Sequence, residues 1–245
     1  MKKYELTEET INFNDTILFR IRALKSFGRV KAKQLGGWIA GEHNLSQEGD
    51  CWISNDAKVY ENARIEGNAQ IRNQSIIMNN AIVCDNANVS GRAVVGGRAV
   101  ISGKAKIKGT AWIDENAKIF GNASVTDNAH IWGDSQVYDN AKVSENAEIW
   151  DSAIIRGNAK IYENAFIYGT AIIGGNVEIA NTFTIDDNVN LNGNARIMER
   201  EDIEIFYWHP EYPVAITKKP KILYHCNGFS GNYSEFLKFM GFKKI

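Results

Sequence analysis

The chain has 245 residues, an apolar share of 44% and a formal net charge of −1, enough for one sizeable domain with small appendages and no electrostatic argument for nucleic acid or a membrane surface. No apolar run approaches the ~18 residues of a membrane span, and Met1-Lys2-Lys3-Tyr4-Glu5 lacks the apolar stretch of a secretion signal. Three cysteines (Cys51, Cys84, Cys226), an odd number without metal-type spacing, point to reduced thiols in a cytoplasm.

Residues 1–47 are mildly basic, with eight Lys/Arg against five Asp/Glu. Asn14-Asp15 reads as a turn and Thr16 to Leu24 as a strand. Gly36-Gly37-Trp38 then leads into a repeat. Residues 1–47 are expected to cap one end of that repeat.

From Ile53 a six-residue count runs without insertion or deletion to Ile197, and all 25 positions are Ile, Val or Leu. A second column two residues earlier is Ala at nearly every step; Cys51, Ser75, Ser135, Val177, Phe183 and Val189 depart from it. Each unit therefore turns one β-branched and one small residue inward on a very short strand. Pairs such as Glu61-Asn62, Gly67-Asn68 and Asp85-Asn86 are turn residues that tolerate positive φ. A period of six does not match the 3.6 of an α-helix, and a six-residue unit cannot bury its own face, so stacking must complete the core.

The pattern Ile161-Tyr162-Glu163-Asn164-Ala165-Phe166-Ile167 resembles the hexapeptide repeat of left-handed parallel β-helices. That resemblance implies an all-β fold in which three units make a triangular coil of 18 residues, so the repeat over 48–200 makes about eight coils. The flanks Tyr4-Glu5-Leu6-Thr7, Phe19-Arg20-Ile21-Arg22-Ala23-Leu24, Leu35-Gly36-Gly37-Trp38-Ile39 and Asn44-Leu45-Ser46 resemble a group of uncharacterised phage and prophage proteins with the same repeat. Some of those are labelled acyltransferases. The resemblance implies the cytoplasm of a bacterial host.

With residues 18 apart above one another, the outward positions sort into three faces. The first is aromatic and apolar, carrying Tyr60, Ile76, Met78, Val94, Trp112, Trp132, Trp150, Phe166 and Tyr168, with His130 and Glu148 among them. The second is mixed and the third polar. A contiguous aromatic face implies a partner: a homo-oligomer (dimer or trimer), the protein's own terminal segments, or a ligand or foreign protein. Ordinary cross-strand pairing is the structural alternative.

The corners carry further columns. One stacks Asn68, Asn86, Asn122, Asn140, Asn158, Asn176 and Asn194, a structural asparagine ladder. Another stacks Asp127, Glu145 and Glu163, either a solvated acidic edge or a place for a cation or basic partner. In one coil Gly91-Arg92, Gly97-Arg98 and Gly103-Lys104 replace the usual pairs, so Arg92, Arg98 and Lys104 form a basic ring that could hold an anion or simply be a solvated belt.

Residues 201–245 form a separate module. Ile203 to Trp208, Val214 to Thr217 and Ile222 to His225 read as strands. Ser230-Gly231-Asn232 precedes a short helix, Tyr233 to Met240, with Phe236, Leu237 and Met240 on one side.

Chemistry is sparse. His130 is the one histidine in the repeat and the candidate general base if the chain is an acyltransferase using acyl-CoA. Hexapeptide acyltransferases commonly carry a loop projecting from the helix, which this chain lacks. His43, His130, His209 and His225 do not have the spacing of a three-histidine metal site, so no metal and no cofactor are expected. The preferred expectation is a non-enzymatic, rigid oligomeric scaffold that binds a host component, such as a defence system. An acyl-CoA-dependent acyltransferase is the alternative.

Overall fold

The structure, a computed structural model, describes residues 2–185, 188–209, 212–218, 222–226 and 229–240, excepting the side chains of 206–209, 212–213 and 226. The chain is a nearly all-β parallel solenoid of about nine coils, with an antiparallel sheet and a small helix near its C-terminus. It divides into two compact units, 1–128 and 129–245. No helix among the described residues is long and apolar enough to cross a membrane.

The first unit opens with β1 (Tyr4–Phe13) and β2 (Thr16–Ala23), an antiparallel hairpin. Asn14 and Asp15 both have positive φ, 49° and 59°, the two-residue turn whose twist matches its strands. β3 (Leu35–Ile39) pairs antiparallel with β2 on one side. On its other side it pairs parallel with the strand Lys58–Val59. The hairpin thus takes over the edge of this parallel sheet, with β1 as its outermost strand.

The solenoid strands are β4 (Trp52–Ile53) to β28 (Arg196–Ile197), two residues each and spaced by six. They are very short, as the repeat implied. Successive strands fall on three different sheets, and within each unit strands 18 residues apart pair in parallel, as in Arg64↔Ile82 and Gln70↔Asn88. The Ile/Val/Leu column is buried throughout, and so are all the alanines of the second column. Most corners among the described residues are four-residue turns: the Ala69 amide donates to the Glu66 carbonyl at 3.3 Å, and Gly67 has φ +64°. That positive φ at the second position explains the Gly, Asn, Asp and Glu found there.

The repeat also begins earlier than its count suggests. Ile39 pairs with Val59, and Leu45 bridges to Ile65, so these two residues extend the inward columns back by most of a coil. The step from Leu45 to Ile53 is eight rather than six, because the chain runs through bends at residues 47–50 before it enters the strand Trp52–Ile53. The solenoid therefore has nearer nine coils than eight.

Three departures in the alanine column resolve individually. Ser75 and Ser135 are fully buried, and each hydroxyl bonds back to a turn carbonyl, Ser75 to Arg72 at 2.8 Å and Ser135 to Trp132. Phe183 does not follow the column inward but stays half-buried, because a benzyl group exceeds the space left by a stacked methyl.

In the second unit, β29 (Ile203–His209), β30 (Tyr212–Thr217), β31 (Leu223–Cys226) and β32 (Phe229–Gly231) form an antiparallel sheet. β32 lies where the sequence suggested only a lead into the helix. α1 (Tyr233–Phe239) follows with a capping box: Asn232 Oδ1 accepts from the Glu235 amide at 3.1 Å, and the Glu235 carboxylate accepts from the Asn232 amide at 2.8 Å. Phe236 packs against Val214, with Tyr224, Phe229 and Met240 around them.

Candidate functional site

The aromatic face predicted from the columns divides in two. In the first unit its beginning is covered by the chain itself. Tyr60 is only 3% exposed, buried with Leu18 and Trp38, and its ring meets Phe13 edge-on at 5.8 Å. Ile76 and Met78 pack half-buried on the same cluster. Tyr60 is therefore withdrawn from any partner by the N-terminal hairpin. Val94 is half-buried, while Trp112 is exposed and donates from Nε1 to Asp114 at 3.1 Å.

In the second unit the face is uncovered and continuous. The outward residues lie on the strands His130–Ile131, Glu148–Ile149 and Phe166–Ile167, which pair in register His130↔Glu148 and Glu148↔Phe166. Ring centroids then follow one another at van der Waals spacing: His130 to Trp132 at 5.4 Å, Trp132 to Trp150 at 4.8 Å, Trp150 to Phe166 at 4.9 Å, and Phe166 to Tyr168 at 5.0 Å. Four of these contacts in series, tilted or edge-on, hold the rings in one arrangement. All five side chains are half-buried, so their outer surfaces remain open. The Trp150 indole nitrogen is buried without a hydrogen-bond partner among the described residues, so the ring is held by packing alone.

Carboxylates border this ladder. Glu148 stands within it, Asp134 and Asp151 lie at the corner on one side, and Glu145 and Glu163 at the corner on the other. The lysines of this unit's solenoid, Lys142 and Lys160, are on a different sheet, where Lys160 pairs with Glu178. Arg156 also lies off the face, next to the strand Ile154–Ile155 of the remaining sheet. The acidic column foreseen in the sequence is thus an edge of the aromatic face.

His130 is half-buried on this flat ladder. Clefts of about 460 and 430 Å³ lie elsewhere, one lined by Asn181, Phe183, Met198 and Arg200, the other by His43, Leu45, Gln47 and Glu66. His130 lines neither. Arg92, Arg98 and Lys104 are exposed, each following a glycine of positive φ (Gly91, Gly97, Gly103), as the exchange of residue types implied. They precede strands of three different sheets, so their charges point away from one another and do not converge on one anion. Arg92 Nε instead donates to Gln74 at 3.0 Å. Among the described residues no three His, Cys, Asp or Glu side chains gather as metal ligands.

No family model matches the chain. Over 61 residues it is 41% identical to the uncharacterized acetyltransferase YdcK of Escherichia coli (strain K12), a match covering 22% of this chain and 19% of that protein. Fold and match are consistent with the hexapeptide-repeat β-helix superfamily. What the sequence could not resolve within this parallel β-solenoid was which part of the aromatic face the N-terminal hairpin covers. That hairpin is held over Tyr60 by Phe13 and Leu18, residues outside the repeat, whose contacts no column reveals.

Proposed function

We propose that the protein is a non-enzymatic docking scaffold of the phage type, presenting the aromatic face of residues 130–168 to a protein of its host. The observation that carries this reading is the unbroken, half-exposed series of ring contacts from His130 to Tyr168. A rigid parallel stack supports it, because pre-ordered aromatic side chains lose little entropy on binding. In a phage or prophage carrying the gene, Trp132→Ser combined with Trp150→Ser should reproduce the infection phenotype of a full deletion. Full activity of that variant and of one lacking residues 203–245 would reject the reading. A second copy of the chain is the other occupant considered, and light scattering of the purified protein measures it directly.

The match to YdcK favours a second reading, an acyl-CoA-dependent acetyltransferase with His130 as general base. The surroundings of His130 argue against it: acyl-CoA brings several phosphate charges, and this face offers carboxylates in place of lysine or arginine. Calorimetry with acetyl-CoA, and acetyl transfer measured for His130→Ala, test it. Tight binding with activity lost in the variant would establish the enzyme.

A further inference from the structure

We infer that the occupant of the aromatic face is a lysine- or arginine-bearing segment of a partner protein. This rests on the docking-scaffold reading and narrows it. Two features of the face point the same way. First, its rings follow one another along the sheet, tilted or edge-on, each still partly exposed, and the π-face of an indole or phenol attracts a cation. Second, every charged side chain on the face and on its two corners between residues 131 and 170 is a carboxylate.

Three of those carboxylates lack internal compensation. Glu148, Glu163 and Asp134 make no side-chain hydrogen bond or ion pair with the described residues. Glu145 and Glu163 occupy one corner column a single coil apart, so their charges repel. Other acids of the unit fare differently: Asp151 accepts from the Gly169 amide at 3.2 Å, Asp139 from the Gly157 amide at 3.1 Å, and Glu178 pairs with Lys160 at 2.5 Å and lies near Arg196. A cationic partner relieves the repulsion at the aromatic face, whereas a neutral sugar stacked on the rings leaves it and a nucleic acid adds to it.

The same charges argue against a second copy. In a two-fold self-association each subunit presents the same patch, so the acidic corners of one face meet the acidic corners of the other. Like charges brought together in this way oppose association.

The full-length chain is titrated by calorimetry with three probes: a Gly-Arg-Lys repeat peptide, a Gly-Asp-Glu peptide of equal length, and maltohexaose. The basic peptide should bind, the other two should not, and added salt should weaken the binding. Trp132→Leu with Trp150→Leu keeps the charge and should weaken it about tenfold. Asp134→Asn, Glu148→Gln and Glu163→Gln together should do so at least as strongly. The control Glu9→Gln, Glu66→Gln and Glu178→Gln, with the same loss of charge elsewhere, should leave it unchanged. Equal weakening by the control, or no weakening by the leucine variant, reduces the effect to bulk charge and overturns the inference. Selective binding of the acidic peptide or the sugar, lost with the tryptophans, overturns the inference and leaves a docking face. Absence of binding by every probe overturns the inference, while the infection assay judges the scaffold separately.

Discussion

At the scale of single residues, the solenoid's first end depends on a buried cation. Lys3 is 1% exposed, and its ammonium donates to the carbonyls of Glu48, Gly49 and Cys51 at 3.1–3.3 Å and lies 3.2 Å from Cys51 Sγ. Burial raises the Cys51 thiol pKa, with Lys3 opposing, so Cys51 is held as an unreactive thiol. Lys3→Met preserves length but strands the carbonyls. Charge-assisted bonds to buried acceptors outweigh the regained desolvation here, and the variant should lose about 2 kcal/mol. Urea unfolding followed by tryptophan emission measures this, and an unchanged midpoint would show that desolvation cancels the bonds. At the other end, His225 is buried with Nε2 2.8 Å from Thr217 Oγ1, and its Nδ1 accepts from the Asn192 amide at 3.4 Å. Burial lowers its pKa from 6.5 to about 4. The unfolded chain then takes up the proton first as pH falls. The stabilisation is complete above pH 6.5, declines between 6.5 and about 4, and is fully lost below that, a swing of about 3 kcal/mol. Melting of the native protein and of His225→Leu across this range checks it: the variant should lack that part of the slope.

At the scale of elements, the inward columns set the tolerance of the coil. Ala141 is fully buried between stacked neighbours, so Ala141→Leu should cost roughly 1–3 kcal/mol or more through overpacking. Ser135→Ala follows the column rule and removes a hydroxyl already bonded to its own turn, so it should shift stability by less than ~1 kcal/mol. Thermal melts of both variants test this ranking, and a larger loss at Ser135 would mean that its hydroxyl fixes the corner. This arithmetic of columns is also why the fold was legible. Period six fixed the strands, their inward residues and the positive-φ turns. The stacked asparagines bond as foreseen, Asn140 to Asn158 at 3.2 Å and Asn158 to Asn176 at 2.9 Å. What escaped lies where spacing breaks or where tertiary packing decides. The first coil was hidden by the eight-residue step from Leu45 to Ile53. β1 alternates too weakly to announce itself, since four of its ten residues are exposed, including the run Glu8-Glu9-Thr10. Within the candidate site, the rings and acids were readable as columns, but the burial of Tyr60 required the hairpin's actual register.

At the scale of the whole molecule, two periods act independently: six sets what is inside, and eighteen sets what shares a face. Deletions within the second unit separate them. Removing residues 139–156 joins Tyr138 to Gly157, keeps both periods, and leaves His130 and Trp132 next to Phe166 and Tyr168. Removing 133–138 keeps the inward columns but advances every later face by one side. Ile154 and Arg156 then follow His130 and Trp132, so the ladder is split between Trp132 and Trp150. Removing 139–142 breaks both periods and sends the Glu145 carboxylate into the slot of the buried Ala141, a burial that costs several kcal/mol when unpaired. If nearest-neighbour stacking of the inward columns dominates stability, the first two variants should keep native circular dichroism and melt cooperatively, and the third should be severely destabilised. Unfolding of the six-residue deletion to the same extent as the four-residue one would reverse the assignment. The outer ladders of rings and asparagines, rather than the isoleucine and alanine columns, would then be what holds the coils in register.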